Sequence, residues 1–351
     1  MARGSAEMED LQSFVQKQKV AITTDRDAQR SGPIRLADTV VKDPIKITVI
    51  GAGTFGVVFS IKYPDNEKVF TLKITYEVSD AEYSAPNDIV DSLSPGETSH
   101  VLAPHWRGAF KSQGAEGLVA LASRFSKLGT LQRLLMCVPD ENVTLSPAFE
   151  EFRCTQYPDM KMPVHIAMRL LIRLLEITAQ LEKPLEHGDH MNYAVAHLDF
   201  RPENILLCPN IDGKDEKLVM IDFGWSGFVG PIVPRRGGTG KFPLAYRGCA
   251  EDRAHVVQII YVCLVGKEAL GDNPTRPFVN LHMSRQTSLW RVRGWICKHF
   301  SEIVSKSGLT TKQVNYIIAA RKLLWDACNM DMSSQKVIDR IKREGLDNAC
   351  L

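Results

Sequence analysis

Four groups of residues in this chain have the types, order and spacing to handle phosphate and a metal ion. Gly51-Ala52-Gly53-Thr54-Phe55-Gly56-Val57-Val58 spells G-x-G-x-x-G-x-V. Residues without side chains let backbone N–H groups approach phosphate oxygens closely. A dinucleotide fold uses nearly the same glycines, but it requires a helix directly after the third and an acidic residue about 20 positions on. Here an apolar, β-branched run over 57–61 follows, then the turn signal Pro64-Asp65-Asn66, then a second strand-like run that carries Lys73. A lysine in a strand interior is costly unless its ammonium meets an anion, and a nucleotide phosphate is a suitable one. A surface turn with a snorkelling lysine is the competing reading. Asp199 and Asn204 stand five apart in His197-Leu198-Asp199-Phe200-Arg201-Pro202-Glu203-Asn204, and Asp222 closes the apolar run 218–221 ahead of Phe223-Gly224. An Asp and an Asn so placed can otherwise be capping or turn residues.

The segment 197–204 resembles the catalytic loop H-R-D-L-x-x-x-N of the eukaryotic protein-kinase superfamily, and Asp222-Phe223-Gly224 resembles its metal-binding D-F-G. The family's roles are a known template, carried over position by position. The resemblance implies ATP and Mg²⁺ as cofactors. It makes Asp199 the base for a substrate hydroxyl, Arg201 the cation on the transferred phosphoryl group, and Asn204 and Asp222 the metal ligands. Two hard oxygen ligands of this kind suit Mg²⁺, with water and phosphate filling its other positions. For the nucleotide it implies Gly51, Ala52, Gly53, Thr54, Phe55, Gly56, Val58, Thr71 and Lys73. It adds Ser123, Arg124 and Phe125 in a hinge at 123–126, and Leu206 beneath the adenine. Gly129-Thr130-Leu131 resembles the start of the helix after the hinge, Gly238-Thr239 the substrate-side Gly-Thr, and Asp252 the aspartate that holds the catalytic-loop backbone. The likeness covers residues 46–345.

Several positions depart from that pattern. Leu198 replaces the arginine that normally binds a phosphorylated activation segment, and Ser226 is the only hydroxyl residue between Asp222 and Gly238. Constitutive activity, or activation by a partner, is therefore expected. Thr71 stands where alanine usually covers the adenine. Phe242-Pro243-Leu244 is the nearest match to A-P-E, and no arginine lies at 331–336 to pair with its glutamate, although Arg340 follows. Loss of both members of a buried pair is self-consistent. The acid that should pair with Lys73 is undecided between Glu82 and Asp88, since the aligned position falls near Pro86.

The elements that must position these groups follow from texture. The β-rich stretch after Lys46 predicts a twisted antiparallel sheet. Apolar residues at helical spacing over 164–181 and 317–328 predict helices, and 256–265 reads as a buried helix. The implied fold class is α+β, two-lobed and protein-kinase-like. It has a small antiparallel N-lobe with one helix and a larger, mainly α-helical C-lobe. The expected organisation is a tail over 1–44 with a short helix at 8–19, an N-lobe over 45–125, a C-lobe over 126–345 and a tail over 346–351. His187 and His190 read as members of a polar surface loop without strand register.

The 351 residues carry 44% hydrophobic and 24% charged residues with a net charge of +2, an ordinary globular balance with no call for a nucleic-acid or membrane partner. No apolar run approaches a membrane span, and the first residues lack a signal peptide's apolar core. The eight cysteines form no CxxC pair, so a reducing compartment, cytoplasm or nucleus, is expected. Expected partners are ATP, a protein substrate and a regulatory partner at the N-terminal tail. Besides a Ser/Thr protein kinase, a nucleotide-binding pseudokinase scaffold and a small-molecule kinase of the same fold stay open.

Overall fold

Period-two alternation around the glycine run becomes a sheet, and the helical periodicities downstream become a packed helical body. The computed structural model describes residues 22–23, 35–36, 46–52, 56–62, 69–75, 80–104, 106–112, 115–124, 126–136, 144–187, 190–209, 216–229, 244–266, 289–305, 308–329 and 332–348. The helix expected at 8–19 lies outside the described residues, as do Gly53, Thr54, Phe55, Phe125, Gly238, Thr239, Phe242 and Pro243. The protein is mixed α+β, with small antiparallel sheets and several helices. It divides into two compact units. The first holds the described residues within Met1–Asn87 and Leu102–Phe125, the second those within Asp88–Val101 and Ser126–Leu351.

In the first unit, β1 (Ile22–Thr23) pairs with β2 (Arg35–Leu36). A five-stranded antiparallel sheet follows, built from β3 (Lys46–Ala52), β4 (Gly56–Lys62), β5 (Val69–Thr75), β6 (Trp106–Ser112) and β7 (Ala115–Arg124), in the order β3-β4-β5-β7-β6. Phe59, Ile61, Leu72, Ile74 and Leu121 are buried there. Helix α1 (Asp80–Asp91) begins in this unit and ends in the other.

The second unit contains α2 (Leu131–Met136), α3 (Pro147–Glu150), α4 (Val164–Leu181), α5 (Leu244–Val265), α6 (Leu289–Val304), α7 (Thr311–Ala327) and α8 (Ser334–Glu344). Interleaved with them are β8 (Leu185–His187), β9 (His190–Ala196), β10 (Ile205–Pro209), β11 (Glu216–Met220) and β12 (Gly227–Val229). From Gly248 onward α5 is buried nearly all round, as an interior helix must be. Its Val256, Val257, Ile259 and Ile260 are wholly inaccessible, each contributing about 1.5–3 kcal/mol relative to exposure. α5 packs on α4, and α8 closes over α4 with Val337, Ile338 and Ile341. Thr310 and Gln313 form a capping box on α7, and Ser333 caps α8. The packing runs on past α8: Leu346 is buried, its carbonyl accepts from the Tyr316 hydroxyl, and Arg169 donates to the Asp347 carbonyl.

One expectation is corrected here. His187 and His190 lie in strands, not in an unstructured loop: they face each other at the end of the β8–β9 hairpin. The signal in the sequence is the dipeptide Gly188-Asp189, a type that favours hairpin turns. Among the described residues no helix is long and apolar enough to cross a membrane.

Candidate active site

Sheet register gathers the sequence-predicted nucleotide residues of the first unit. Val58 pairs with Lys73, Lys73 with Leu121 and Thr71 with Ser123, and cross-strand partners share a face. Val58, Thr71, Lys73 and Ser123 therefore occupy one face of three adjacent strands, while Leu72 and Ile74, on the opposite face, are buried. Gly51 joins them, paired to Val58 beyond a bulge in β3. Ser123 and Arg124 pair with β5, whereas the β6 register stops at Ala122.

The structure also identifies the acid at Lys73. Its Nζ lies 2.6 Å from Glu82 Oε1, with the glutamate buried and the lysine partly so. Asp88 instead accepts a 2.9 Å hydrogen bond from the Tyr193 hydroxyl. The acid stands four residues before the aligned position at Pro86, one helical turn, which preserves the face that it presents.

In the second unit, two strand pairs bring Asp199, Asn204 and Asp222 together. β9 leads into the loop 197–204 and pairs with β12, which leaves the Asp222 turn, so Ala196 faces Gly227. β10 leaves the loop and pairs with β11, which enters that turn, so Ile205 faces Met220 and the Ile221 N–H donates to the Asn204 carbonyl at 2.9 Å. Leu206 bridges to Thr130, and Gly129, at φ 83, supplies the turn that only glycine takes cheaply.

Two buried groups fasten this loop from behind. The Asp252 carboxylate accepts the His197 N–H at 2.6 Å and the Leu198 N–H at 2.8 Å. His197 Nε2 lies 2.9 Å from the Ile221 carbonyl, and its Nδ1 accepts the Asp199 N–H at 3.3 Å. That network assigns the proton to Nε2 and requires a neutral ring. Burial pushes the His197 pKa down, against the pull of the Ile221 carbonyl. Burial likewise drives His255 down to about 4 and pushes Asp252 up to about 7 despite its two N–H bonds. Leu198 and Asp222 both sit in the left-handed region, at φ 61 and 62. Such strain in non-glycine residues clusters at functional sites, and the bonds to Asp252 offset it at Leu198.

At the front, Asn204 Nδ2 donates to the Asp199 carbonyl at 3.0 Å and to Asp199 Oδ2 at 2.9 Å, while Arg201 Nε lies 3.5 Å from the same oxygen. Both bonds use the Asn204 amide nitrogen, and its Oδ1 can act only as an acceptor. Asp222 is exposed. Asn204 Oδ1 and the Asp222 carboxylate are hard oxygen atoms of the kind that a cation arriving with a nucleotide takes. Among the described residues no three His, Cys, Asp or Glu side chains could hold a metal by themselves. The Ser226 hydroxyl is tied to the Phe223 carbonyl at 2.6 Å.

Three contributors were missed in the sequence. Arg253 is buried, ion-paired to Glu182, and donates to the Ala327 and Asn329 carbonyls at 3.1 and 3.0 Å. A charge at the entry to the apolar run 256–265 was its signal, since such a charge requires partners when it is buried. Arg340, considered above for the missing A-P-E partner, pairs with Asp326 and Glu344. Tyr193 gave no signal. Gly248 did, as an isolated glycine in a helical pattern. A Cβ there would lie 2.7 Å from Ala196 Cβ and 3.5 Å from Val229 Cγ1, so glycine lets α5 approach the loop. Gly248→Ala is expected to lower stability by about 1–3 kcal/mol, read from the urea midpoint. A gain in stability, the ordinary helix-propensity result, would show that α5 is free to shift.

No protein-family model matches the chain, and no curated protein matches it significantly.

Proposed function

We propose that the protein is an ATP-dependent protein kinase of the two-lobed superfamily that it resembles, transferring the γ-phosphoryl group to Ser or Thr hydroxyls. In this reading the sheet unit is its nucleotide lobe and the helical unit its catalytic lobe. The observation that carries the reading is the Asp199–Asn204 pair on a loop fastened by Asp252 and His197. One Asp199 oxygen, Oδ2, is occupied by Asn204 and Arg201, so Oδ1 is the oxygen that takes the substrate proton. The hydroxyl oxygen attacks the γ-phosphorus in line, the bond to the β-phosphate oxygen breaks, and the proton passes to Asp199. Arg201, 45% exposed beside Asp199, offers its guanidinium to the transferred group. Lys73, oriented by Glu82, supplies the cation for the ATP phosphates, and the backbone of the glycine run cradles them. Asn204 and Asp222 would hold Mg²⁺, which neutralises charge developing on the phosphate oxygens. Most of the rate enhancement on this account is positioning and fixed electrostatics.

The test is transfer of label from γ-labelled ATP to a generic protein substrate, with and without Mg²⁺. Mg²⁺-dependent label on serine or threonine is expected from the natural protein, with a loss of ~10²-fold or more in Lys73→Met. No transfer by either protein, under conditions in which both are folded, would leave a nucleotide-binding scaffold as the reading.

A further inference from the structure

Helix α1 is held at two places by two different side-chain ties. Near its start Glu82 pairs with Lys73 of β5, and in its last turns Asp88 accepts from Tyr193 of β9. Between them stands Pro86, which has no N–H to give to the Glu82 carbonyl one turn back. Next to it, Asn87 Nδ2 donates to the Tyr83 carbonyl at 2.7 Å and to the Pro104 carbonyl at 3.3 Å, which does not replace the helical bond that Pro86 cannot give to the Glu82 carbonyl. The division between the two units also falls here, between Asn87 and Asp88. A helix with one ladder bond missing at its middle depends on what fastens its ends.

Tyr193 is built to fasten one of them. It is 4% exposed, its ring packs edge-on against Phe228 at 4.9 Å, and it lies in the strand that runs into the catalytic loop. Burial, reinforced by the Asp88 carboxylate, pushes its pKa well up, so the hydroxyl remains a donor at every physiological pH. Glu82 and Asp88 are six residues apart, about 9 Å along the axis, so release of the last turns loosens the first.

We propose that the Tyr193 hydroxyl is a positioning group which, by holding Asp88, fixes α1 and keeps Glu82 on Lys73. Its catalytic consequence rests on the kinase reading above. In that role it stands in for a phosphorylated activation segment, for which Leu198 and the single, internally bonded Ser226 leave little provision.

The test uses the full chain with Tyr193→Phe, Asp88→Ala and their combination, with Asp88→Asn as the conservative variant that keeps an acceptor oxygen. Three quantities are read: acylation of Lys73 by an amine-reactive reagent relative to exposed Lys127, kcat and KM for phosphoryl transfer, and the melting temperature. Tyr193→Phe and Asp88→Ala are expected to raise relative Lys73 labelling severalfold and to lower kcat by on the order of tenfold. The combination should be no worse than either alone, and Asp88→Asn should stay near the natural protein. Unchanged Lys73 labelling in Tyr193→Phe overturns the proposal, whether kcat or the melting temperature falls or not. Raised labelling in a protein that transfers no phosphate even without substitution supports the tie and overturns the kinase reading instead.

Discussion

Asp199→Asn is expected to lower phosphoryl transfer by ~10²–10⁴-fold, the range that a positioned general base contributes, while the fold persists. The substitution is isosteric and keeps what the structure asks of the side chain. An amide oxygen can still accept from Asn204 Nδ2 in place of Oδ2, and the Asp199 N–H to His197 Nδ1 is a backbone bond that does not depend on the side chain. What goes is the second oxygen as a proton acceptor and the negative charge opposite Arg201. That ion pair is solvent-exposed and of little consequence for stability. The effect should therefore appear in kcat, with KM for ATP and the urea midpoint close to those of the natural protein. A variant that retains activity within about tenfold would remove Asp199 from the role of base.

The expectation is sharp because the loop 197–204 was the most legible part of the sequence. Residue type, order and spacing point to Asp199, Asn204 and Asp222, and the strand pairs β9–β12 and β10–β11 bring them together. The helices at 164–181 and 317–328 were legible for a related reason: one apolar face repeated over many turns leaves little choice of structure. Less legible was whatever depends on long-range partners. The choice of Glu82 over Asp88 needed the position of Tyr193, which lies 105 residues from Asp88. The buried Arg253 needed Glu182, 71 residues away. The strand β8, with three residues, is too short for periodicity to speak, and the Gly-Asp dipeptide ahead of β9 was the remaining mark in the sequence.

The second large effect concerns the support behind the loop, and it separates by pH. His255 is neutral in the native state because burial drives its pKa down to about 4 from an ordinary 6.5. As pH falls below 6.5 the unfolded chain takes up a proton that the native protein does not, so stability from this group is present above 6.5 and lost on the way to 4. The full loss is on the order of 3 kcal/mol. Asp252 has the opposite sign. Burial raises its carboxyl from 3.8 to about 7, so through that window the native protein holds a proton that the unfolded chain has released. Stability from Asp252 is then present below 3.8 and lost as pH rises to 7, again by roughly 4 kcal/mol. The two groups stand one helical turn apart on α5 and nearly cancel in the natural protein.

Single substitutions uncouple them. His255→Leu removes the acid-side loss, so its stability relative to the natural protein should improve by about 2 kcal/mol between pH 7 and pH 5. Asp252→Asn removes the acid-side gain and should fall behind over the same interval by a similar amount. His100 and His197, also held down by burial, add the same acid loss to every protein compared and drop out of the differences. Urea midpoints at the two pH values give both numbers, and parallel pH profiles for all three proteins would show that neither group titrates as its burial requires. The same protonation reaches the chemistry. Only the ionised Asp252 accepts both the His197 and Leu198 N–H groups, and a protonated carboxyl turns one of those oxygens into a donor. Leu198 would then hold its left-handed turn with one bond fewer, directly beside Asp199. Transfer activity should accordingly decline below pH 7 as Asp252 becomes protonated.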